Sequence, residues 1–456
     1  MNEPHVLLLA ADADPRWSAP FVALLLAIAV LPLVPATAHW WHRNSSKLLV
    51  SAALGTATLA YYFLWHGFHG DEAGFRSVRA LLHHAVLEEY VPFVVLLFAL
   101  YTIAGGIEIT GDLRARPATN TAFLAVGALI ASAVGTTGAA MVLVRPLLRT
   151  NAQRKRVVHT VVFFIFVVCN CGGLLLPLGD PPLFLGYLRG VPFEWTLTLV
   201  PEWALVNGLL LLTYFVWDWF AYRGETLPDV RHDEARVERL RLNGGGNLLL
   251  LGGVVACIAL LDAHRPVPGT EWTPPAYLRE ALMLALAAVS YFVPLVTPRG
   301  LRARVSFDFV PIAEVACLFI GIFVTMQVPL EILSDRGTVA RLGVGQPMGF
   351  FWVTGGLSAV LDNAPTYVVF LETARSVINA PGPLVAPGVS EPLLKAVSCG
   401  AVFMGAMTYI GNGPNFLVKA IAERAGVPMP SFFGYLRYSV LVLGPILAIA
   451  SYVFFR

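Results

Sequence analysis

Two stretches decide the fold: PLGDPPLFLGYL at 177–188 and YIGNGPNFLVKA at 409–420. Each is apolar enough to sit in a membrane span, yet each is interrupted by Gly, Pro and a polar side chain. Proline lacks the N–H that a helix interior needs, and glycine marks turns, so each stretch reads as a span that stops and restarts. Upstream of each lies a longer apolar stretch, 119–148 and 347–374, too long for one span and too short for two. GTTG at 135–138 breaks the first near its middle, and LDNAP at 361–365 breaks the second. That pattern predicts two re-entrant helical hairpins, since irregular backbone at membrane depth survives only where protein or a water-filled cavity covers it.

Composition agrees. Of 456 residues, 57% are hydrophobic and 13% charged, against roughly 25% charged in a soluble domain. Mean hydropathy is +0.69. A soluble chain of this length has no core large enough for so much apolar surface. Formal net charge is 31 − 29 = +2, which offers nothing to nucleic acid. The five cysteines (Cys169, Cys171, Cys257, Cys317 and Cys399) lie in apolar stretches without metal-ligand spacing and read as small buried thiols. The N-terminal MNEPHVLLLAADADPRWSAP lacks a basic n-region and does not read as a cleavable signal. The fold class is therefore an all-α polytopic membrane protein.

Spans of about 20 apolar residues fall at 19–38, 48–66, 86–106, 157–177, 199–220, 248–262, 277–297, 307–327, 393–411 and 433–455. With the N-terminus outside and each hairpin returning to its own side, 19 of 31 basic residues lie inside, including RTNAQRKR at 149–156 and PRGLRAR at 298–304. This suits a multi-pass protein of the inner (cytoplasmic) membrane.

The halves carry the same parts in the same order. Val91-Pro92 answers Val310-Pro311, GTTG answers LDNAP, the two broken spans match, and Gly-Val-Pro follows at 190–192 and 426–428. The span count gives the two units opposite orientations, so they read as inverted-topology repeats, an architecture of secondary transporters. Residues 1–80 are expected to form scaffold spans. Repeat 1 takes 81–220, with its hairpin at about 119–148 and broken helix at about 157–190. A cytoplasmic linker follows at 221–247, ending in a flexible GGG at 244–246, and connecting spans take 248–306. Repeat 2 takes 307–456, with its hairpin at about 347–374 and broken helix at about 393–425.

Free N–H groups at a broken helix favour an anion, and free carbonyls favour a cation. The breaks carry Thr136 and Thr137, Asp180, Asp362, Asn363 and Thr366, and Asn412 and Asn415. All bear oxygen, the ligand a hard cation such as Na⁺ prefers; no Cys or His set invites a transition metal. Asp180, Asp362, Asn363 and Asn412 are the expected Na⁺ ligands. An aspartate at mid-membrane costs about 2.5–3.5 kcal/mol on insertion scales, so two at matched breaks ask for a function. Such a carboxyl holds either a proton or a cation, and each expels the other. Capping of the restarted helices is the structural alternative for both.

Other polar residues are read more plainly. Asn170 is expected to line the cavity, and Glu314, seven residues into its span, is a possible proton relay. Arg145 is read as snorkelling to the inner surface, and Glu108, Asp112 and Asp218 as interfacial. His83, His84 and His159 sit at span ends.

GTTGAAMVLVRPLL, LPLGDPPLFLGYL, LDNAPTYVVFLE and GAMTYIGNGPNFLVKAIAE resemble the ion transporter superfamily over about 80–456. Within it they resemble NhaD-type sodium/proton antiporters and the related CitMHS-like family of citrate transporters. The resemblance implies a homodimer, a scaffold part and a mobile transport part, elevator-like alternating access and cation sites at the hairpin tips. The carboxylate symporters carry neutral Ser-Asn-Thr tips, where this chain has Gly135-Thr136-Thr137 and Asp362-Asn363-Ala364. A negative charge there opposes an anionic substrate.

The leading expectation is a Na⁺(Li⁺)/H⁺ antiporter, not an enzyme. It needs no cofactor beyond coupling Na⁺ and H⁺, and its partners are the lipid bilayer, small inorganic cations and a second copy of the chain. A Na⁺- or H⁺-coupled symporter of citrate or another carboxylate is the alternative. A channel is a further reading, as is an intramembrane aspartyl protease using Asp180 and Asp362.

Overall fold

In the computed structural model the described residues are 13–32, 34–225, 238–263, 266–267, 269–334, 345–377, 380–385 and 388–456. The protein is an all-α polytopic membrane protein. Among the described residues, seven helices are long and apolar enough to cross a bilayer: Asn44–Leu64, Phe75–Ala104, Pro117–Val134, Val158–Leu175, Phe193–Arg223, Val310–Ser334 and Phe432–Phe454. Proline opens many of the helices, as at Pro117, Pro181, Pro347 and Pro414, where its missing N–H costs nothing.

Several expected spans come out shorter. Leu278–Phe292 has 15 residues where 277–297 was expected, and Glu391–Met404 has 14 where 393–411 was expected. The expected span 19–38 is two helices, Ala19–Val30 and Pro35–Trp41. Proline and glycine trim the regular helix inside apolar runs, which hydropathy alone does not register. The first expected hairpin breaks where GTTG predicts. Pro117–Val134 ends at Gly135 (φ 85°), and Thr136–Thr150 packs back against it. Its first arm, with 18 residues, is nonetheless long enough to cross by itself. The second breaks between Pro347–Ser358 and Asn363–Arg375.

The chain divides into two compact units. One takes residues 1–94, 309–344 and 371–379. Its centre is the packing of Asn44–Leu64 on Val310–Thr325. Small residues allow close approach: a Cβ on Gly321 would lie 2.6 Å from the Ser51 Cβ. Beside this contact the buried Lys47 pairs with Glu314 at 2.7 Å. The expected proton relay is therefore one half of an ion pair.

The other unit takes 95–308, 345–370 and 380–456, and all the breaks lie in it. Val158–Val167 is almost wholly buried there. Pro347–Ser358 packs on Glu391–Met404 so closely that a Cβ on Gly400 would sit 2.6 Å from the Phe351 carbonyl oxygen.

The expected linker 221–247 is structured at its end. Glu238–Asn243 pairs antiparallel with Glu108–Asp112, and residues 226–237 lie outside the described set. Glu108 and Asp112 are thus strand residues, and Glu108 pairs with Arg304 at 3.0 Å. The GGG joint is not free either. Gly244 has φ 74°, and the buried Asn247 fixes the turn. Its amide nitrogen lies 2.9 Å from the Gly106 carbonyl and the Thr297 hydroxyl, and its oxygen accepts from Ser290 at 2.6 Å. Asn247→Leu strands these buried partners, and is expected to lower stability by about 2–3 kcal/mol. A fall in the unfolding midpoint of the detergent-solubilised protein checks it; an unchanged midpoint contradicts the assignment.

Candidate functional site: a buried carboxylate among amides

The first span that breaks runs Val158–Val167, then a tight 3₁₀ turn Cys171–Leu175, then restarts at Pro181–Leu188 with Asp180 at its N-cap (φ −143°, ψ 142°). The second runs Glu391–Met404, a 3₁₀ turn Gly405–Met407, and restarts at Gly413–Arg424 with Asn412 at its N-cap (φ −153°, ψ 138°). Glycines permit both turns. A Cβ on Gly179 would meet the Gly173 carbonyl oxygen at 2.0 Å, and one on Gly411 would meet the Gly405 carbonyl oxygen at 2.7 Å. A Cβ on Gly173 would also strike Thr136, and one on Gly405 would lie within 3.6 Å of Asn363. Thr136 thus lies against the glycine turn of the first break, and Asn363 lies beside the glycine turn of the second.

Side chains from four breaks meet at Asp180, which is 1% exposed. Its Oδ1 accepts from the Thr136 hydroxyl and from Asn412 Nδ2, each at 3.0 Å. Its Oδ2 accepts from Asn363 Nδ2 at 2.6 Å. Asn412 Nδ2 also lies 3.2 Å from Asn170 Oδ1. Asn170 donates to Asn415 Oδ1 at 2.7 Å, and Asn415 donates to the Gly405 and Thr408 carbonyls at 2.8 and 2.9 Å. The backbone closes the ring: Thr136 N–H donates to the Gly179 carbonyl at 2.8 Å. One atom is left over. Asn363 Oδ1, buried beside Asp180, has no hydrogen-bond partner among the described residues.

Six of the expected residues thus come together: Thr136, Asn170, Asp180, Asn363, Asn412 and Asn415. The others do not join the ring. Asp362 Oδ1 accepts from the Ala364 N–H at 3.3 Å, the bond of a helix cap. The Thr366 hydroxyl donates to the Asp362 carbonyl at 3.0 Å, one helical turn back. Thr137 is half-buried and is not among the hydrogen-bond partners of Asp180. Glu314 belongs to the other unit.

A second polar centre escapes the sequence reading. Asp218, expected at the interface, is wholly buried. Arg154 grips it with two bonds, at 2.6 and 3.0 Å, and His159 Nε2 stands 2.8 Å away. Asn120 Nδ2 lies 3.4 Å from its other oxygen and exchanges amide bonds with Asn151. Burial opposes the charge on Arg154, but the hydrogen bonds and charge of Asp218 outweigh it and raise the guanidinium pKa. The only sequence signal was an acid near the end of one span and a basic cluster before another, with nothing to say that they touch.

Fold and site define an integral, multi-pass membrane protein with a buried polar centre built from broken helices. Residues 11–455 match the family described as "Putative citrate transport", and the chain belongs to that family. An uncharacterized transporter of Synechocystis sp. is 26% identical over 340 residues, 68% of this chain and 71% of that protein. Uncharacterized transporters of Mycobacterium bovis and Mycobacterium tuberculosis are each 24% identical over 293 residues, 62% of this chain and 63% of theirs. The chain is a transporter working in a lipid bilayer.

Asp218→Asn leaves the Arg154 charge buried with half its partner, and is expected to cost about 3–5 kcal/mol. Thermal unfolding in detergent reads this directly. The double change Asp218→Leu with Arg154→Met is expected to recover most of the loss, since it removes both charges together. A single variant as stable as the parent excludes a structural role for the pair.

Proposed function

We propose that the chain is a Na⁺(Li⁺)/H⁺ antiporter in which Asp180 carries either the cation or the proton. The observation that carries this reading is the Asp180 carboxylate, buried among neutral donors, with the unpartnered Asn363 Oδ1 beside it. Two hard oxygens in a buried site offer a small cation what it needs. Thr136, Asn412 and Asn170 orient them, and Asn415 braces Asn170. Protonation of Asp180 removes the charge that holds the cation. Asp362 supplies a second carboxyl one residue from Asn363 and caps the helix that carries it.

The matched glycines and caps of the two halves support an inverted repeat, and with it an elevator-type alternating access in a homodimer. On the positive-inside count the N-terminus faces outward from the cytoplasmic membrane.

The family description favours a second reading, cation-coupled symport of citrate or another carboxylate. There the Na⁺ or H⁺ on Asp180 would neutralise the site before the anion binds.

Proteoliposomes with an imposed pH gradient and an internal pH dye separate the two. Under exchange, external Na⁺ or Li⁺ collapses the gradient in the parent protein. Asp180→Asn abolishes the response, and Asp362→Asn weakens it. If no cation acts, while labelled citrate accumulates under an inward Na⁺ or H⁺ gradient, symport replaces the antiporter reading.

A further inference from the structure

Within the same unit, the three elements that pack against the turn of the first break carry buried polar atoms without partners among the described residues. Glu202 Oε2, Asn207 Oδ1, Trp195 Nε1 and Ser398 Oγ are all buried and have no hydrogen-bond partner among the described residues. Two are acceptors, one is a donor, and the hydroxyl serves as either. Leaving each unpaired costs about 1–3 kcal/mol, and buried water is the ordinary remedy where polar groups converge.

Their surroundings tie them to the site. Glu202, Trp203 and Asn207 lie on Val200–Arg223, whose first turns run along the 3₁₀ turn Cys171–Leu175. Asn207 Nδ2 donates to the Cys171 carbonyl and Trp203 Nε1 to the Gly172 carbonyl, both at 3.1 Å. The Thr196 hydroxyl donates to the Leu175 carbonyl at 2.9 Å. The residue that begins this turn is Asn170, already bonded to Asn412 and Asn415. At the other end Glu202 Oε1 is 3.7 Å from the Lys395 ammonium, and Lys395 is 23% exposed at its side chain. Ser398 and Cys399 follow Lys395 on the same face of Glu391–Met404. Lys395 and Ser398 on one helix, and Glu202 and Asn207 on the other, thus belong to two helices that both pack against the turn preceded by Asn170.

We propose that Glu202 is a second proton-binding site, which takes protons from bulk water and passes them through buried water to Asp180. This rests on the antiporter reading of Asp180. The step balances without any other reactant. An O–H bond of hydronium breaks as one forms on Glu202 Oε2; that bond then breaks as one forms on Asp180, and the cation leaves. The charged and titratable groups around Glu202 are Lys395 and Glu391 on the facing helix, together with the Cys399 thiol. Lys395, bonded also to Glu391 (3.5 Å) and the Thr198 carbonyl (3.4 Å), stays a positioning residue that keeps Oε1 occupied and Oε2 free.

The test uses the full chain in proteoliposomes with three readouts. Na⁺ binding is measured at fixed pH, Na⁺-driven proton flux is measured across a pH series, and the carbonyl band of protonated carboxyls is followed by infrared difference spectroscopy. Glu202→Gln is expected to bind Na⁺ as the parent does, within about twofold, while proton flux falls by at least about tenfold. Its flux also loses the parent's dependence on pH, and one carboxyl band disappears that persists in Asp180→Asn. Glu202→Asp, which keeps a carboxyl, restores flux with a displaced pH midpoint. Parental flux and pH profile in Glu202→Gln overturn the proposal, as does an unchanged set of carboxyl bands. If the parent shows no Na⁺/H⁺ exchange, the antiporter reading has failed. The infrared arm, which needs no transport, then still decides whether Glu202 titrates.

Discussion

A helix that ends inside hydrocarbon leaves N–H and C=O groups with no water to turn to, and everything around Asp180 follows from that constraint. The two broken spans meet it in the same way. Each turns through a 3₁₀ segment, restarts with a polar N-cap, and closes over glycines so tightly that no Cβ fits at Gly173 or Gly179 in the first or at Gly411 in the second. The caps then do not serve their own helices. Asn412 reaches across to Asp180 and to the Cys169 carbonyl, and Asn363 reaches Asp180 from a third break. The second half thus serves the first half's broken backbone at the Cys169 carbonyl, and the first half's Asn170 holds Asn415, which serves the Gly405 and Thr408 carbonyls of the second. A change at any one of these amides is therefore felt at both breaks.

The breaks were legible in the sequence because they are made of residues that cannot be anything else in an apolar run. Gly, Pro, Asp and Asn at 179–182 and 411–415 have no reason to sit among Leu and Phe except to stop a helix. The same logic found six of the ring residues. It failed where distance along the chain says nothing about distance in space. Asp362 and Asn363 are neighbours, yet the carboxylate turns to its own helix and the amide turns to the ring; the choice is rotational, and no spacing encodes it. Asp218 looked like a span-end acid because its partners, Arg154 and His159, are about 60 residues away, on another segment. The strand 238–243 was invisible because ERLRLN has no partner until Glu108–Asp112 is placed beside it. The spans 277–297 and 393–411 were overestimated for a different reason: hydropathy does not register where glycine and proline end the hydrogen-bonded helix.

Among its described residues, the unit that holds the breaks contains two buried aspartates, and they differ in the charge of their partners. Asp218 is met by a guanidinium in a two-bond grip and by an imidazole. Its charge is balanced by the protein itself, so a metal cation arriving there would have to displace Arg154. Asp180 is met by a hydroxyl and two amides, all neutral, and none of its hydrogen-bond partners among the described residues is basic. Neutral donors orient a carboxylate and soften its desolvation without cancelling its charge. On the antiporter reading the remaining charge is matched from outside the chain, by a proton or by a small cation. A buried acid that the fold leaves unbalanced is open to exchange, and one that the fold balances is a strut. The same chemistry, aspartate in a low-dielectric interior, is held by charged partners at Asp218 and by neutral donors alone at Asp180, and on the antiporter reading that difference is what leaves Asp180 open to exchange.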